Sequence, residues 1–263
     1  MGERSETVLA VDVGNTETSL GLFSAGQLVG ERSVTTPARL TTDEAAMDAR
    51  AVLRELGAAG AVRGAILSCV VPTLTLAWER GLASACETRP LVVGPGLRSG
   101  LRLRFGDPSE VGSDRVADAV AARERYGAPV VAVDLGTTTN VEVVDADGAF
   151  LGGIIAPGLS LGARALREAA ARLPLIELRA PRHVIGRSTS EAMQSGVVLG
   201  EVARIDGLLD RVTGELGEDA PVVMTGEGAA QLAPLLAHRV TVDESLTLRG
   251  LWLLWQRNRP RGA

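Results

Sequence analysis

At 263 residues the chain can bury one large core or two packed lobes, and 46% hydrophobic with 22% charged residues suits a globular enzyme. A net charge of −5 argues against a generic nucleic-acid or anionic-membrane surface, while leaving room for a local basic pocket. All 27 basic residues are arginine, which excludes a P-loop lysine, a protein-kinase strand lysine and a Schiff-base lysine. Phosphate must then be held by backbone N–H groups, hydroxyls, arginine or metal.

In chain order, Val8 to Val13 is an apolar strand running into the polar turn Asp12-Val13-Gly14-Asn15-Thr16. A second strand, the hairpin turn Ser24-Ala25-Gly26 and a third strand follow. Thr42 to Leu56 reads as a helix with Thr42 and Asp43 as cap candidates. Gly64 to Val71 is a strand ending at Pro72, Leu74 to Cys86 a helix, and Arg89 to Val93 a strand. Leu101 to Asp107 is a strand or extended loop, and Val116 to Arg125 a helix.

Then the opening repeats. Val130-Val131-Ala132-Val133-Asp134-Leu135-Gly136-Thr137-Thr138 matches Val8 to Thr16 position by position, with Gly148 answering Gly26 and Gly152 answering Gly30. Helices are expected over Ser160 to Ala171 and Ser190 to Leu216. A buried strand, Pro221 to Met224, ends in Thr225-Gly226-Glu227-Gly228, before helices over Gly228 to Ala237 and Leu246 to Arg257. Strands alternating with helices predict α/β layers. The expectation is two lobes, 1–115 and 116–263, with mixed sheets flanked by helices and a cleft between them.

Each Asp-x-Gly turn offers a backbone bend, a carboxylate suited to hydrated Mg²⁺, and hydroxyl or N–H donors for phosphate. One such turn alone reads more readily as a plain hairpin; two in a duplicated fold point to phosphate. An aspartic protease also pairs two Asp turns, but usually as Asp-Thr-Gly, and neither turn here has Thr after Asp. Gly112-Ser113-Asp114-Arg115 can be ordinary helix capping by Ser113 or Asp114. In a cleft, Asp114 could instead accept a substrate hydroxyl proton and Arg115 bind a carboxylate. Ser188 with Glu191 fits a capping box, so Thr189 can be a simple first-turn residue. Thr225 to Gly228, between a strand and a helix, is a common nucleotide seat.

Cys69 and Cys86 lack C-x-x-C spacing and read as buried thiols of a reducing compartment; His183 and His238 are too few for a histidine metal centre. No signal peptide and no membrane-length apolar run is visible, so a soluble cytoplasmic protein is expected.

Together these motifs resemble the type III pantothenate kinases, actin-like (ribonuclease H-like) ATPase-superfold enzymes of coenzyme A biosynthesis. The resemblance runs from about Val8 to Asn258. It rests on Asp12-Val13-Gly14-Asn15-Thr16, Asp107-Pro108 through Gly112-Ser113-Asp114-Arg115, Gly152 to Gly158, and Ile185 to Gly196. It implies ATP-dependent phosphorylation of pantothenate. Asp12, Val13, Gly14, Asn15, Thr16, Glu17, Thr18 and Ser19 would contact ATP, with Asp12 also serving Mg²⁺, and Thr137 would contact ATP. Asp114 would be the general base, with Gly112, Ser113, Asp114, Arg115 and Thr189 around pantothenate. Asp134 would ligate a monovalent cation, potassium or ammonium. The resemblance also implies a homodimer with the pantothenate pocket at its interface, and neither nucleic acid nor membrane as partner.

The chain departs from the family pattern in Ser113 for Ala, Asn140 for Thr, Glu142 for Asp, Glu227 for Gly, and Phe105 where some members carry Tyr. Glu227, Asn140 and Glu142 motivate an alternative, a catalytically weak or silent paralogue acting as regulator or binding protein. A kinase of the same superfold for another small hydroxyl substrate is a third reading.

Overall fold

The structure, a computed structural model, describes residues 7–60, 62–170 and 172–259. In chain order the strands are β1 Thr7–Val13, β2 Glu17–Ser24, β3 Gln27–Thr35, β4 Gly64–Cys69, β5 Leu91–Val92, β6 Arg102–Leu103, β7 Val130–Leu135, β8 Thr138–Val144, β9 Ala149–Pro157, β10 Val222–Gly226 and β11 Val240–Val242. The helices are α1 Thr42–Glu55, α2 Pro72–Cys86, α3 Ser113–Tyr126, α4 Leu159–Ala169, α5 Thr189–Gln194, α6 Gly200–Leu216, α7 Ala229–Leu232 and α8 Leu246–Asn258. A π-helical segment, Ser195–Leu199, joins α5 to α6. Of the expected helix Ser160 to Ala171, Ala171 lies outside the described residues.

The described chain divides into two compact units. The first takes the residues up to Leu101, then Gly106–Ala121, then those from Leu246 onward; the second takes Arg102–Phe105 and Ala122–Ser245. The boundary expected at residue 115 falls inside α3, and α8 returns to the first unit. The reason is apolar burial: Leu248, Leu251, Leu254 and Trp255 of α8 pack with Val8, Ala10, Phe23 and Ile66 of the first sheet.

That first sheet has the order β3-β2-β1-β4-β5. Its central strand β1 is buried on both faces, which is why Val8 to Val11 reads as a continuous apolar run. Leu9, Val11 and Val13 face α1 and α2 on one side, while Val8 and Ala10 face α3 and α8 on the other. The cap of α1 is Thr41, not Thr42 or Asp43. Its hydroxyl accepts from Glu44 N at 3.2 Å and Glu44 Oε2 accepts from Thr41 N at 2.8 Å, a closed capping box. Those bonds from Thr41 hold the Glu44 carboxyl below its usual range. Helix α2 starts at Pro72, two residues before the expected Leu74, since proline is pre-set for a first helical position. Cys86 is buried and its thiol is pushed up to about 12, whereas Cys69 is only half-buried and donates to Val71 O at 3.2 Å.

The second sheet has the order β11-β10-β7-β8-β9-β6. Without β6 it repeats the first strand for strand: β7 pairs β8 antiparallel and β10 parallel, as β1 pairs β2 and β4. Even an irregularity is repeated. The ladder slips between Leu22 and Phe23 opposite Gly30 and Leu28, and between Val143 and Val144 opposite Gly152 and Phe150. A bulge copied at the same place is strong evidence of duplication. Strand β11 was missed by the sequence reading because Val240–Val242 is only three residues long.

The expected helix Ser190 to Leu216 is interrupted by the π segment, and α7 ends at Leu232 before a 3-10 turn, short of Ala237. Asp206 of α6 holds the chain beyond that turn. It accepts from Ala237 N at 3.0 Å, His238 N at 3.2 Å and His238 Nδ1 at 2.9 Å, while Asp210 lies 3.2 Å from His238 Nε2. Burial pushes the Asp206 carboxyl up, but the Ala237 and His238 donors outweigh it and hold it below its usual range. A depressed acid stabilises the fold above its unfolded pKa and ceases to do so as pH falls through the folded value. Asp206→Asn should therefore lower Tm by roughly 1–3 °C near neutrality, with the gap to wild type closing in acid, as melts across pH would record.

No helix of the described residues is long and apolar enough to cross a membrane.

Candidate functional site

In the first unit the expected residues gather around the end of β1. Asp12 is the penultimate strand residue and half-buried, and Gly14, Asn15 and Thr16 form the turn. Gly14 N donates to Glu17 O at 3.0 Å, and a Cβ on Gly14 would stand 3.0 Å from that same oxygen. Asn15, Thr16 and Glu17 are exposed. Thr18 and Ser19 are engaged elsewhere: the buried Thr18 hydroxyl meets that of Thr36 at 2.8 Å, and Ser19 meets Ser33 at 3.3 Å.

Sequence reading missed Ser68. It sits on β4 in register with Asp12, is buried, and its hydroxyl lies 2.8 Å from that of Ser113. Its only signal was a polar residue closing the apolar run Ala65 to Leu67. Through Ser68 the start of α3 is held next to the end of β1, in the same unit. Ser113, Asp114 and Arg115 form the first turn of α3 rather than preceding it. Gly112 O accepts the helix's early N–H, from Val116 at 3.1 Å. Asp114 Oδ1 folds back to accept Arg115 N at 2.8 Å. A Cβ on Gly112 would sit 2.5 Å from that Oδ1, so a side chain there would displace the Asp114 carboxylate. Burial pushes the Asp114 pKa up, against the opposing pull of the Arg115 N–H and guanidinium. Arg115 itself is buried.

In the second unit Asp134 is the penultimate residue of β7, opposite Asn140 on β8. The turn here is one residue shorter: Leu135 pairs Thr139, where Val13 pairs Thr18. The strict position-by-position match therefore fails just after the glycine. Oxygen atoms crowd this end. A Cβ on Gly226 would meet Leu135 O at 2.3 Å and Asp134 Oδ1 at 2.6 Å, and one on Gly158 would meet Gly136 O at 2.3 Å and Thr137 O at 2.8 Å. A carboxylate and backbone carbonyls are the ligand types a hard cation takes, and of these oxygens Thr137 O accepts Gly158 N at 3.1 Å. Among the described residues no three acidic, histidine or cysteine side chains form a metal cage. Any Mg²⁺ held by Asp12 would then take most of its ligands from phosphate and water, as Mg²⁺ commonly does.

The replaced residues differ in setting. Asn140 is buried and accepts from the Thr138 hydroxyl at 3.1 Å, and Glu142 is fully buried. Glu227 is exposed in the turn between β10 and α7. Thr189 is exposed at the start of α5, where Ser188 caps the helix by accepting Glu191 N at 3.2 Å. The Glu191 carboxylate reaches Arg187 N at 2.7 Å, so the expected capping box closes one residue early.

Comparison with known proteins bears on the fold and on the family. Similar solved structures include a conserved putative Baf family transcriptional activator from Campylobacter jejuni, with TM-score 0.59 and 18% identity over 95% of this chain and 98% of that one. Another is the activator of the 2-hydroxyisocaproyl-CoA dehydratase from Clostridium difficile with bound ADPNP, with TM-score 0.54 and 12% identity over 95% of both chains. At these identities they speak for the fold alone, the duplicated actin-like ATPase fold. Two curated relatives are type III pantothenate kinases. That of Thermomicrobium roseum is 40% identical over 97% of this chain and all of its own length. That of Brevibacillus brevis is 40% identical over 95% of this chain and 99% of its own length. The family profile described as type III pantothenate kinase matches residues 8–211. With those two full-length relatives and a profile spanning both Asp-x-Gly turns and Asp114, the chain belongs to the type III pantothenate kinase family.

Proposed function

We propose that the chain transfers the γ-phosphoryl group of ATP to the 4′-hydroxyl of pantothenate, the first step of coenzyme A biosynthesis. The observation that carries this reading is Asp114, a carboxylate at the start of α3 whose proton affinity burial has raised. A base of that kind can take the hydroxyl proton as the oxygen attacks phosphorus; ADP leaves with the broken bond's electrons. Arg115, Gly112, Ser113 and Thr189 hold the acceptor in this reading. Asp12 to Ser19 serve ATP, and Asn15, Thr16 and Glu17 are the exposed members of that group. Mg²⁺, when bound, neutralises charge on the phosphate oxygens. Thr137 contacts ATP, and Asp134 with the backbone oxygens around Gly158 and Gly226 holds potassium or ammonium.

A homodimer with the pantothenate pocket at its interface belongs to the same reading. It is supported by apolar surface on the second unit: no residue of α4 is buried, and Ile155, Leu166, Leu175, Val184 and Ile185 are exposed. The cytoplasm, where pantothenate and ATP meet, is the compartment proposed.

The test is coupled ADP release with pantothenate, ATP, Mg²⁺ and potassium. Pantothenate-dependent turnover is expected; none at saturating ATP would sink the reading. Nucleotide binding in a calorimeter without turnover would favour the silent paralogue instead. Because Glu227 is exposed, Glu227→Gly should change the KM for ATP by less than about fivefold, since an exposed charge is worth at most about 1 kcal/mol.

A further inference from the structure

The second turn is enclosed by a ring of bonds that no catalytic role yet explains. On the α6 side of β8, Thr139 is 2% exposed and its hydroxyl donates to Glu201 Oε1 at 2.6 Å. Glu201 is 4% exposed, and its other oxygen pairs with Arg204, three residues along the same helix. Arg204 Nη2 also donates to Pro157 O at 2.5 Å, at the end of β9. The next residue, Gly158, leads back to the turn, donating its N–H to Thr137 O at 3.1 Å. The circuit runs from Thr137 through Thr139, Glu201, Arg204 and Pro157 to Gly158 and home to Thr137. It ties β8, the end of β9 and the first turn of α6 to one short loop.

Glu201 is buried while the Arg204 side chain stays 32% exposed, so the pair carries the desolvation cost of one carboxylate, and apolar replacement of such a pair is often neutral or stabilising. Stability alone is thus a poor reason for this pair to stand beside the turn. The approach of α6 is shaped for the contact. The π segment Ser195–Leu199 inserts a residue ahead of Gly200, which turns the rest of α6 by about 100°. In an uninterrupted helix Glu201 would point well away from Thr139.

We infer that Glu201 and Arg204 are positioning residues for the second phosphate turn, holding the Gly136–Thr137 backbone in the shape that receives the nucleotide. This rests on the kinase reading above for the ligand, not for the ring. Thr139 is the link through which the pair acts.

The experiment uses the full chain and four variants: Thr139→Val, Thr139→Ser, Glu201→Gln, and the double variant Glu201→Gln with Arg204→Gln, which leaves no lone buried charge. ADP and ATP affinity is measured by calorimetry, with both KM values, kcat and Tm. Thr139→Val and Glu201→Gln should weaken nucleotide binding about tenfold (~1.4 kcal/mol) with the KM for pantothenate within about twofold of wild type. Thr139→Ser should restore wild-type affinity, and the double variant should bind nucleotide as weakly as Glu201→Gln. Unchanged nucleotide affinity in Thr139→Val and in the double variant, or a fall in Tm alone, would overturn the inference. So would equal rises in both KM values. If wild type binds nucleotide but does not phosphorylate pantothenate, the function reading fails while calorimetry still decides the ring. A wild type that binds no nucleotide overturns both.

Discussion

Asp114→Asn is expected to lower kcat for pantothenate phosphorylation by roughly 10²–10⁴-fold, the usual worth of a general base. The substitution keeps the shape and keeps an oxygen for Arg115 N, so the KM values should move little. Steady-state kinetics should therefore show the loss almost wholly in kcat. The pH profile adds a second signature. The base works deprotonated, and burial holds its pKa above the ordinary 3.8. Wild-type kcat/KM should fall as pH drops through that raised value, and the residual activity of Asp114→Asn should lack this acid limb. Linkage gives the matching stability effect. An acid with a raised folded pKa favours folding below its unfolded pKa, and that advantage is lost as pH rises through the folded value. At neutral pH the buried charge is a cost, so Asp114→Asn should melt no lower than wild type. A dead variant with a reduced Tm would indicate damage to α3 instead of loss of a base.

Gly226→Ala should be the most damaging single methyl in the second unit. Gly226 has φ +86, and its Cβ would lie 2.3 Å from Leu135 O and 2.6 Å from Asp134 Oδ1. The left-handed backbone alone costs an alanine about 1–2 kcal/mol. Forcing the neighbours apart adds roughly 1–3 kcal/mol. Something must shift, and the candidates are the β7 backbone and the Asp134 carboxylate. Urea melts should show a loss of roughly 2–5 kcal/mol, the sum of these two costs. Any potassium dependence of turnover should weaken in the same variant. Wild-type stability in Gly226→Ala would mean that the close approach of β10 to β7 is not maintained.

Much of this was legible in the chain. The repeat could be read because duplicated strands carry duplicated demands: four apolar residues for a doubly buried strand, then an Asp-x-Gly turn, then a glycine hairpin. Gly26 and Gly148 indeed both take positive φ, at 80° and 72°. Element ends were less legible, because the side chain that answers a cap, or the residue that breaks a helix, is not marked by residue type alone. Thr41 caps α1 because Glu44, not the residue after it, returns the bond. The break in the long helix at Ser195–Leu199 has no proline to announce it. The second turn is shorter than the first although the aligned letters run on unbroken.

The amino-acid sequence by itself determined the chemistry available: no lysine, two Asp-x-Gly turns, and an aspartate at the head of a helix. Those are properties of residue type and spacing, which local backbone rules translate directly. Only the tertiary structure decided which groups those residues meet. Ser68 reaches Ser113 across 45 positions, Thr139 reaches Glu201 across 62, and α8 completes the core of the unit that opened the chain. Each of these depends on apolar burial bringing distant segments together, and burial is a property of the whole fold that no window of sequence contains.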